Sequence, residues 1–371
     1  MLGTRTKFKY NCWDFFFTCV GLPLFMLDIV LDVLAAVSFY KERAYVYLGV
    51  LLLFLLGSSL LTQAYSWLWY SYDEFERKTK VEKLPSPRQL KLLHVFQLGI
   101  YFRYRHTGSS ADEQEPDSES IAVSLNHDLS MLRIIETFAE SAPQLHKGAV
   151  GSASAIAFTV TTYHRSLRSF LPDKEKQQIT SSVIYFIWNL VLISSRLTAL
   201  ALFASVLPCF IFTHFICSWL VLFFFAWRSK TDFMDSPCGE WLYRATVGLI
   251  WYFDWFNVAE GKTRYRTALY HGYILTDICI LCAVWCWKMS TDPPDFVIEP
   301  TYALITAVCV VAVYILGLIL KAIYYKLFHP NLDRDEQQPV DEVDFRMMRS
   351  TTEVSAHYNK RMRKLAKNFY S

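Results

Sequence analysis

The chain has 371 residues, 53% of them hydrophobic and 16% aromatic, and several uncharged runs reach the ~20 residues that a helix needs to cross a bilayer. That excludes an ordinary soluble globular domain, and a net charge of only +3 gives no reason to expect a nucleic-acid partner. The composition predicts an all-α polytopic membrane protein.

The N-terminal segment carries Arg5, Lys7 and Lys9 ahead of an apolar run over 15–39. That run is too long for a signal peptide and lacks a small-residue cleavage site, so it reads as the first span with its basic end in the cytosol. Asp14 stands at its start, and Asp28 and Asp32 sit within it, four residues apart and on one helix face. A carboxylate in hydrocarbon is costly unless paired or wetted, so these acids mark either an ion pair between helices or a polar furrow. Lys41-Glu42-Arg43 forms a short turn, and residues 44–69 form a second span without a charge. Residues 70–91 are charged and mainly basic, which places them in the cytosol, and 92–102 are short for a span. Residues 107–120, TGSSADEQEPDSES, read as a flexible acidic loop.

The stretch DLSMLRIIETFAESAPQL (128–145) is the centre of the chain. It is apolar enough to enter a membrane, yet Arg133, Glu136 and Glu140 form one charged stripe at helical spacing. Pro143 stops the helix. A short, charged, proline-stopped segment reads as a re-entrant helix lining a polar path.

Residues 146–162 make one thin span, and 163–176 are polar and partly basic. A clear span follows over 181–207, with Arg196 near its middle, then a corner at Pro208 and a span over 209–227. Residues 241–258 are apolar and aromatic but contain Asp254, 268–287 form a span carrying Asp277, and 302–328 form the last. The total is roughly eight spans plus one or two half-helices. The charges counted inside them are Asp28, Asp32, Arg133, Glu136, Glu140, Arg196, Asp254 and Asp277. Acids outnumber bases in that set, which favours a polar pathway over a closed structural network.

From His329 the chain is polar, dividing it into a membrane domain over 1–330 and a cytosolic tail over 331–371. The tail contains Asp341-Glu342-Val343-Asp344 followed by Phe345, a sequence that executioner caspases prefer. Asp344 suits the basic pocket before the cut, Asp341 a second charged contact and Val343 a small apolar pocket. The polar, turn-prone residues before it allow the extended shape that a protease needs. Beyond the cut, Met362, Leu365, Ala366 and Phe369 recur at helical spacing among Lys360, Arg361, Arg363, Lys364 and Lys367. This basic amphipathic helix reads as lipid-bound, or as an autoinhibitory plug that cleavage removes.

Several chemistries are missing from the pattern. Gly261-Lys262-Thr263 imitates the end of a phosphate loop, but Phe256 takes the place of its first glycine. The nine cysteines have no disulfide-framework spacing, and Cys279, Cys282 and Cys286 share a helix face without a histidine or acid to complete a metal site. No cofactor and no enzymatic activity are expected.

Eight segments carry a family resemblance: FMLDIVLD (25–32), AYSWLW (64–69), the central stretch at 128–145, SSVIYFIWNL (181–190), TDFM (231–234), EWLYR (240–244), FNVAEG (256–261) and YYKLFHP (324–330). In these the chain resembles the XK-related family of membrane proteins, most of all its caspase-activated apoptotic phospholipid scramblase. The resemblance implies eight spans, two re-entrant helices and a pseudo-twofold arrangement. It implies that Asp14, Asp28, Asp32, Glu136, Glu140 and Arg196 match charged family positions in the membrane. It also implies membrane phospholipids and an executioner caspase as partners, a basigin- or neuroplastin-type glycoprotein subunit, homodimers of that complex, and a plasma-membrane location with both termini cytosolic. The pattern departs from the family after Gln144-Leu145, where about a helix's worth of chain is missing before 163.

Overall fold

The computed structural model describes residues 30, 32–72, 86–96, 98–99, 118–141, 149–170, 177–229, 231, 233–234, 236–258, 264–292 and 298–328. Asp14 and Asp28, the caspase sequence Asp341 to Phe345 and the tail residues Met362, Leu365, Ala366 and Phe369 lie outside them.

All regular structure among the described residues is helical. Helix α1 covers 32–41 and turns back through Arg43, which takes the left-handed conformation at φ 58°. α2 is Tyr45–Tyr72 and α3 is Pro87–Val95. α3 starts on a capping box: the Gln89 backbone N–H donates to Ser86 Oγ, and the Ser86 N–H donates to Gln89 Oε1 at 2.8 Å. Then come α4 (Ser118–Ser141), α5 (Ala149–Phe170), α6 (Ile179–Val206), α7 (Phe210–Arg228), α8 (Pro237–Phe253), α9 (Arg264–Thr291) and α10 (Pro300–Ile323), which continues as a π-helical turn over Tyr324–Phe328.

Five of these helices are long and apolar enough to cross a membrane: Tyr45–Ser71, Ile179–Val206, Phe210–Arg228, Arg264–Thr291 and Pro300–Phe328. The protein is therefore a multi-pass helical membrane protein. Leu53, Leu56 and Leu60 on α2 and Leu304, Ile305 and Val308 on α10 point outward, as lipid-facing residues must.

The interior is built around two helices that are not in that set. α4 packs against α2, α5 and α8, and buries Met131, Leu132, Ile134, Ile135 and Phe138. It ends at Ser141, two residues before Pro143, because the residue preceding a proline is pushed out of helical backbone. α8 has only 17 residues, or about 26 Å of helix, short of the ~30 Å hydrocarbon core. Ser236 caps it and Pro237 opens it, which sets its start sharply. The two inner helices meet where the Phe138 and Phe253 rings lie 6.0 Å apart, and Tyr65 of α2 donates to Thr246 of α8 at 2.9 Å.

α6 is the hub, packed on α5, α9 and α10. At Gly317 on α10 an added Cβ would come within 2.6 Å of Leu192, so glycine lets α6 and α10 approach closely there. Ser195 of α6 also donates to the Val310 carbonyl at 2.8 Å across the same contact.

Two local expectations change. The acidic loop stops earlier than its composition predicts, since α4 begins at Ser118. The polar segment after residue 162 is not a loop at its start: α5 continues to Phe170, with Tyr163, His164, Arg165 and Arg168 buried. Of these, His164 and Arg165 find partners inside the bundle. His164 Nδ1 lies 3.0 Å from Gln177 Oε1, and Arg165 donates to Ser182 Oγ at 2.5 Å.

Candidate functional site

The described charges of the expected lipid path are carried by α1, α4 and α6. Asp32 on α1 is buried, and Arg133 and Glu136 on α4 are half-buried beside an otherwise apolar face. Glu140 belongs to the last turn of the same helix, and its side chain lies outside the described residues. Arg196 does something different: it anchors a separate network on α6.

That network draws one or more side chains from each of four helices. Arg196 Nη1 donates to Asp277 Oδ2 of α9 at 2.5 Å, and Arg196 Nε donates to the Tyr252 carbonyl of α8 at 3.2 Å. The guanidinium lies 5.1 Å from the centre of the Tyr252 ring. His214 of α7 places Nε2 3.1 Å from both Asp277 oxygens and Nδ1 3.1 Å from the Tyr252 hydroxyl. Because a carboxylate only accepts, Nε2–H donates to Asp277, and a neutral ring then accepts the Tyr252 proton at Nδ1. Tyr273 donates to Ser218 Oγ at 3.1 Å, and that oxygen approaches His214 Nε2 at 3.5 Å.

The sequence yields this site because the polar residues stand alone in apolar helices. The Arg196 side chain is 1% exposed, while Asp277 and His214 keep 14% and 16%. The cation is thus sealed inside, while the carboxylate and the imidazole keep partial exposure. Arg196 was an expected site residue and Asp277 a counted charge. His214, Tyr252, Ser218 and Tyr273 were missed. The available signal was a histidine in the middle of a charge-free span, four residues before Ser218.

Fully buried acids and bases are equal in number among the described residues, a count that leaves out Asp28, Glu140 and the partly buried Arg133, Glu136 and Asp277. Among the described residues the buried acids are Asp32, Asp128, Glu240 and Asp254, and the buried bases are Arg165, Arg168, Arg196 and Lys321. Lys321 is drawn inside: its Nζ lies 2.8 Å from His271 Nε2 and 4.8 Å from the Trp188 ring centre, and His271 Nδ1 sits 2.9 Å from the Tyr314 hydroxyl. Arg165 and Arg168 come in because α5 continues past residue 162 into the polar segment, and Lys321 lies within the expected last span but was not counted among its charges.

Glu240 has a positioning role. It accepts from the Thr231 hydroxyl and from the backbone N–H groups of Phe233 (3.0 Å) and Met234 (2.8 Å). Arg244, one turn on, donates to Thr231 Oγ1 at 2.9 Å and to the Thr231 carbonyl at 3.0 Å. The EWLYR segment in the first turns of α8 therefore holds the TDFM segment of the α7–α8 connection in place. Among the described residues no group of histidine, cysteine or acid is arranged to hold a metal ion.

Comparison with known proteins agrees with this architecture. The family model described as XK-related protein matches residues 16–146 and 148–330. A protein named XK-related protein 8 from Tetraodon nigroviridis is 41% identical over 399 residues, covering 98% of this chain and 98% of its own length. The proteins of the same name from Gasterosteus aculeatus and Pan troglodytes are 44% and 36% identical, covering 88% and 95% of this chain and 86% and 92% of their own. The 399-residue comparison exceeds the 371 residues available, so the Tetraodon protein carries residues that this chain lacks, and the family match breaks at residue 147, where the sequence pattern falls short. On a match covering most of its length, carried by the same segments that build the two inner helices and their connections, the chain belongs to the XK-related family.

Proposed function

We propose that the protein is a phospholipid scramblase that exposes phosphatidylserine at the cell surface during apoptosis and is activated by executioner-caspase cleavage after Asp344. The observation that carries this reading is the charge inside the bundle. Asp32, the half-buried pair Arg133 and Glu136, and the network of Arg196, Asp277 and His214 sit among helices that otherwise present hydrocarbon. A furrow with such a lining lets head groups slide between leaflets while their tails stay in lipid. Asp14, Asp28 and the Glu140 side chain, which the sequence assigns to the same path, lie outside the described residues and are counted with it on sequence grounds alone. The DEVD sequence supplies an irreversible switch, and the basic amphipathic segment after it is the brake that cleavage removes. The chain sits in the plasma membrane with both termini cytosolic, delivered with a basigin- or neuroplastin-type glycoprotein subunit.

The test is reconstitution. Purified full-length chain in vesicles carrying a fluorescent phospholipid is treated with executioner caspase, and outer-leaflet label is bleached with dithionite. Bleaching should stop near half of the label before cleavage and approach completion after it. Cleaved chain that leaves the inner-leaflet label untouched sinks the reading. It then favours the second one, a non-scrambling XK-like membrane subunit or transporter partner, which the match at the level of the whole family supports equally well.

A further inference from the structure

A cavity of about 320 Å³ opens where α7 ends and α9 begins. Its walls are aromatic. Trp251 and Trp255 stack with ring centres 5.2 Å apart and planes 5° from parallel, and Tyr270 leans on Trp255 at 5.2 Å. The wall hydroxyls are already engaged: Tyr270 donates to the Trp251 carbonyl at 2.8 Å and Tyr273 to Ser218. The walls therefore offer ring faces, and the donors of the cavity are two arginines. Arg228 closes α7 and Arg266 lies in the first turn of α9, both lining the cavity and both exposed. Neither guanidinium takes part in an ion pair or hydrogen bond among the described residues, whereas nearby Arg244 is tied to Glu240 and Thr231. Two unmatched cations over an aromatic floor form a binding surface for an anion that also has an apolar or ring-shaped face.

The position of the cavity narrows the choice of anion. The helix ends around it carry Arg228, Arg264 and Arg266, while the far ends of α9 and α10 carry one base, Lys288, paired with Asp292, beside Glu299. The basic end lies at the cytosolic leaflet by the positive-inside rule. An anion held there, between two span ends, is within reach of lipid head groups. The basic segment from His357 to Tyr370 is a poor occupant, since it would bring like charge to the two arginines.

We propose that this cavity seats the head group of a phosphoinositide from the cytosolic leaflet, with a phosphomonoester between Arg228 and Arg266 and the inositol ring against the Trp251–Trp255 stack. A dianionic phosphomonoester matches two guanidiniums in charge and in bidentate geometry. Phosphatidylserine brings a monoanionic phosphodiester and a carboxylate offset by an ammonium that the arginines repel, leaving a single net negative charge, and phosphatidylcholine brings no net charge. Through Tyr273 and Ser218 the occupied cavity would touch the His214–Asp277 network. The proposal rests on membrane insertion of α7 and α9 and not on lipid scrambling: a chain that binds this lipid and moves none leaves it intact.

The test titrates full-length protein in detergent with dioctanoyl phosphatidylinositol 4,5-bisphosphate and counts bound lipid by native mass spectrometry. Parallel arms use the dioctanoyl serine and choline lipids and inorganic phosphate. One equivalent of the phosphoinositide should bind, with the other arms at least about tenfold weaker. Arg228→Gln/Arg266→Gln should lose about tenfold in affinity for it while staying monodisperse. Equal binding of the serine lipid or of inorganic phosphate, or unchanged binding in the double variant, overturns the proposal. If the double variant aggregates, each single substitution is read the same way, and the lipid arms on the parent chain stand as an independent test.

Discussion

At the level of single residues, the sharpest feature is a sealed cation paired with a partly exposed acid. Arg196 is buried on α6 and, among the described residues, its salt bridge runs to Asp277, with Tyr252 supplying a carbonyl and a ring face. Removing one member of such a pair strands the other in low dielectric, which typically costs about 3–5 kcal/mol, whereas replacing both by apolar groups of similar size can be neutral. Asp277→Ala should therefore strongly lower the thermal midpoint of the purified protein, and Arg196→Met/Asp277→Leu should recover most of the loss. A double variant as unstable as the single would contradict a paired structural role. If both stay folded but lipid movement disappears, the network serves transport directly. For the furrow, Asp28→Asn and Glu140→Gln should each reduce either surface delivery or activity. Surface delivery and lipid exposure are measured on the same cells, and parental values for both in both variants would remove these acids from the path.

At the level of the helices, close approach does what apolar matching cannot, because lipid is as apolar as leucine and gives no reason for two greasy helices to associate. Gly248 of α8 illustrates this. An added Cβ would sit 3.0 Å from the backbone nitrogen of Phe223 and 3.1 Å from its Cα, so α7 must move to make room. Gly272 of α9 has nothing within 4 Å of the same position. Gly248→Val should destabilise the α7–α8 pair by about 1–3 kcal/mol through overpacking, while Gly272→Ala should be neutral or slightly stabilising. Thermal melts of the two variants side by side check this, and equal midpoints would show that α7 and α8 are not held by their close contact. The apolar stretch expected over 241–258 is present as α8, but it starts four residues earlier and stops at Phe253, because Ser236-Pro237 is a cap followed by a first-turn proline and Asp254 ends the helix.

At the level of the whole molecule, regulation is expected to act through the tail. Asp344→Ala should leave the chain uncut and phosphatidylserine unexposed in dying cells, and a chain ending after Asp344 should be less restrained than the parent. Annexin binding together with an immunoblot for the cut fragment measures both. Exposure in Asp344→Ala cells as fast as in the parent would rule out the switch. The amino-acid order alone was enough to identify a multi-pass helical membrane protein, most span positions, the inner helix at 128–145 and the family, because burial in hydrocarbon demands long apolar runs and makes each charge within them conspicuous. It did not reveal which charges meet. Arg196 was grouped with the acids of the first span and of α4, but it pairs with Asp277, 81 residues on, and shares His214 and Tyr252 from two other helices. It also hid the buried bases: Arg165 and Arg168 sit where α5 runs on into a polar segment, and Lys321 went uncounted within the last span. Periodicity records which face of a helix is apolar, but the partner of a polar group is set by how separate helices cross, and crossing depends on close contacts such as Gly317 against Leu192 and Gly248 against Phe223 that leave no local mark on the chain.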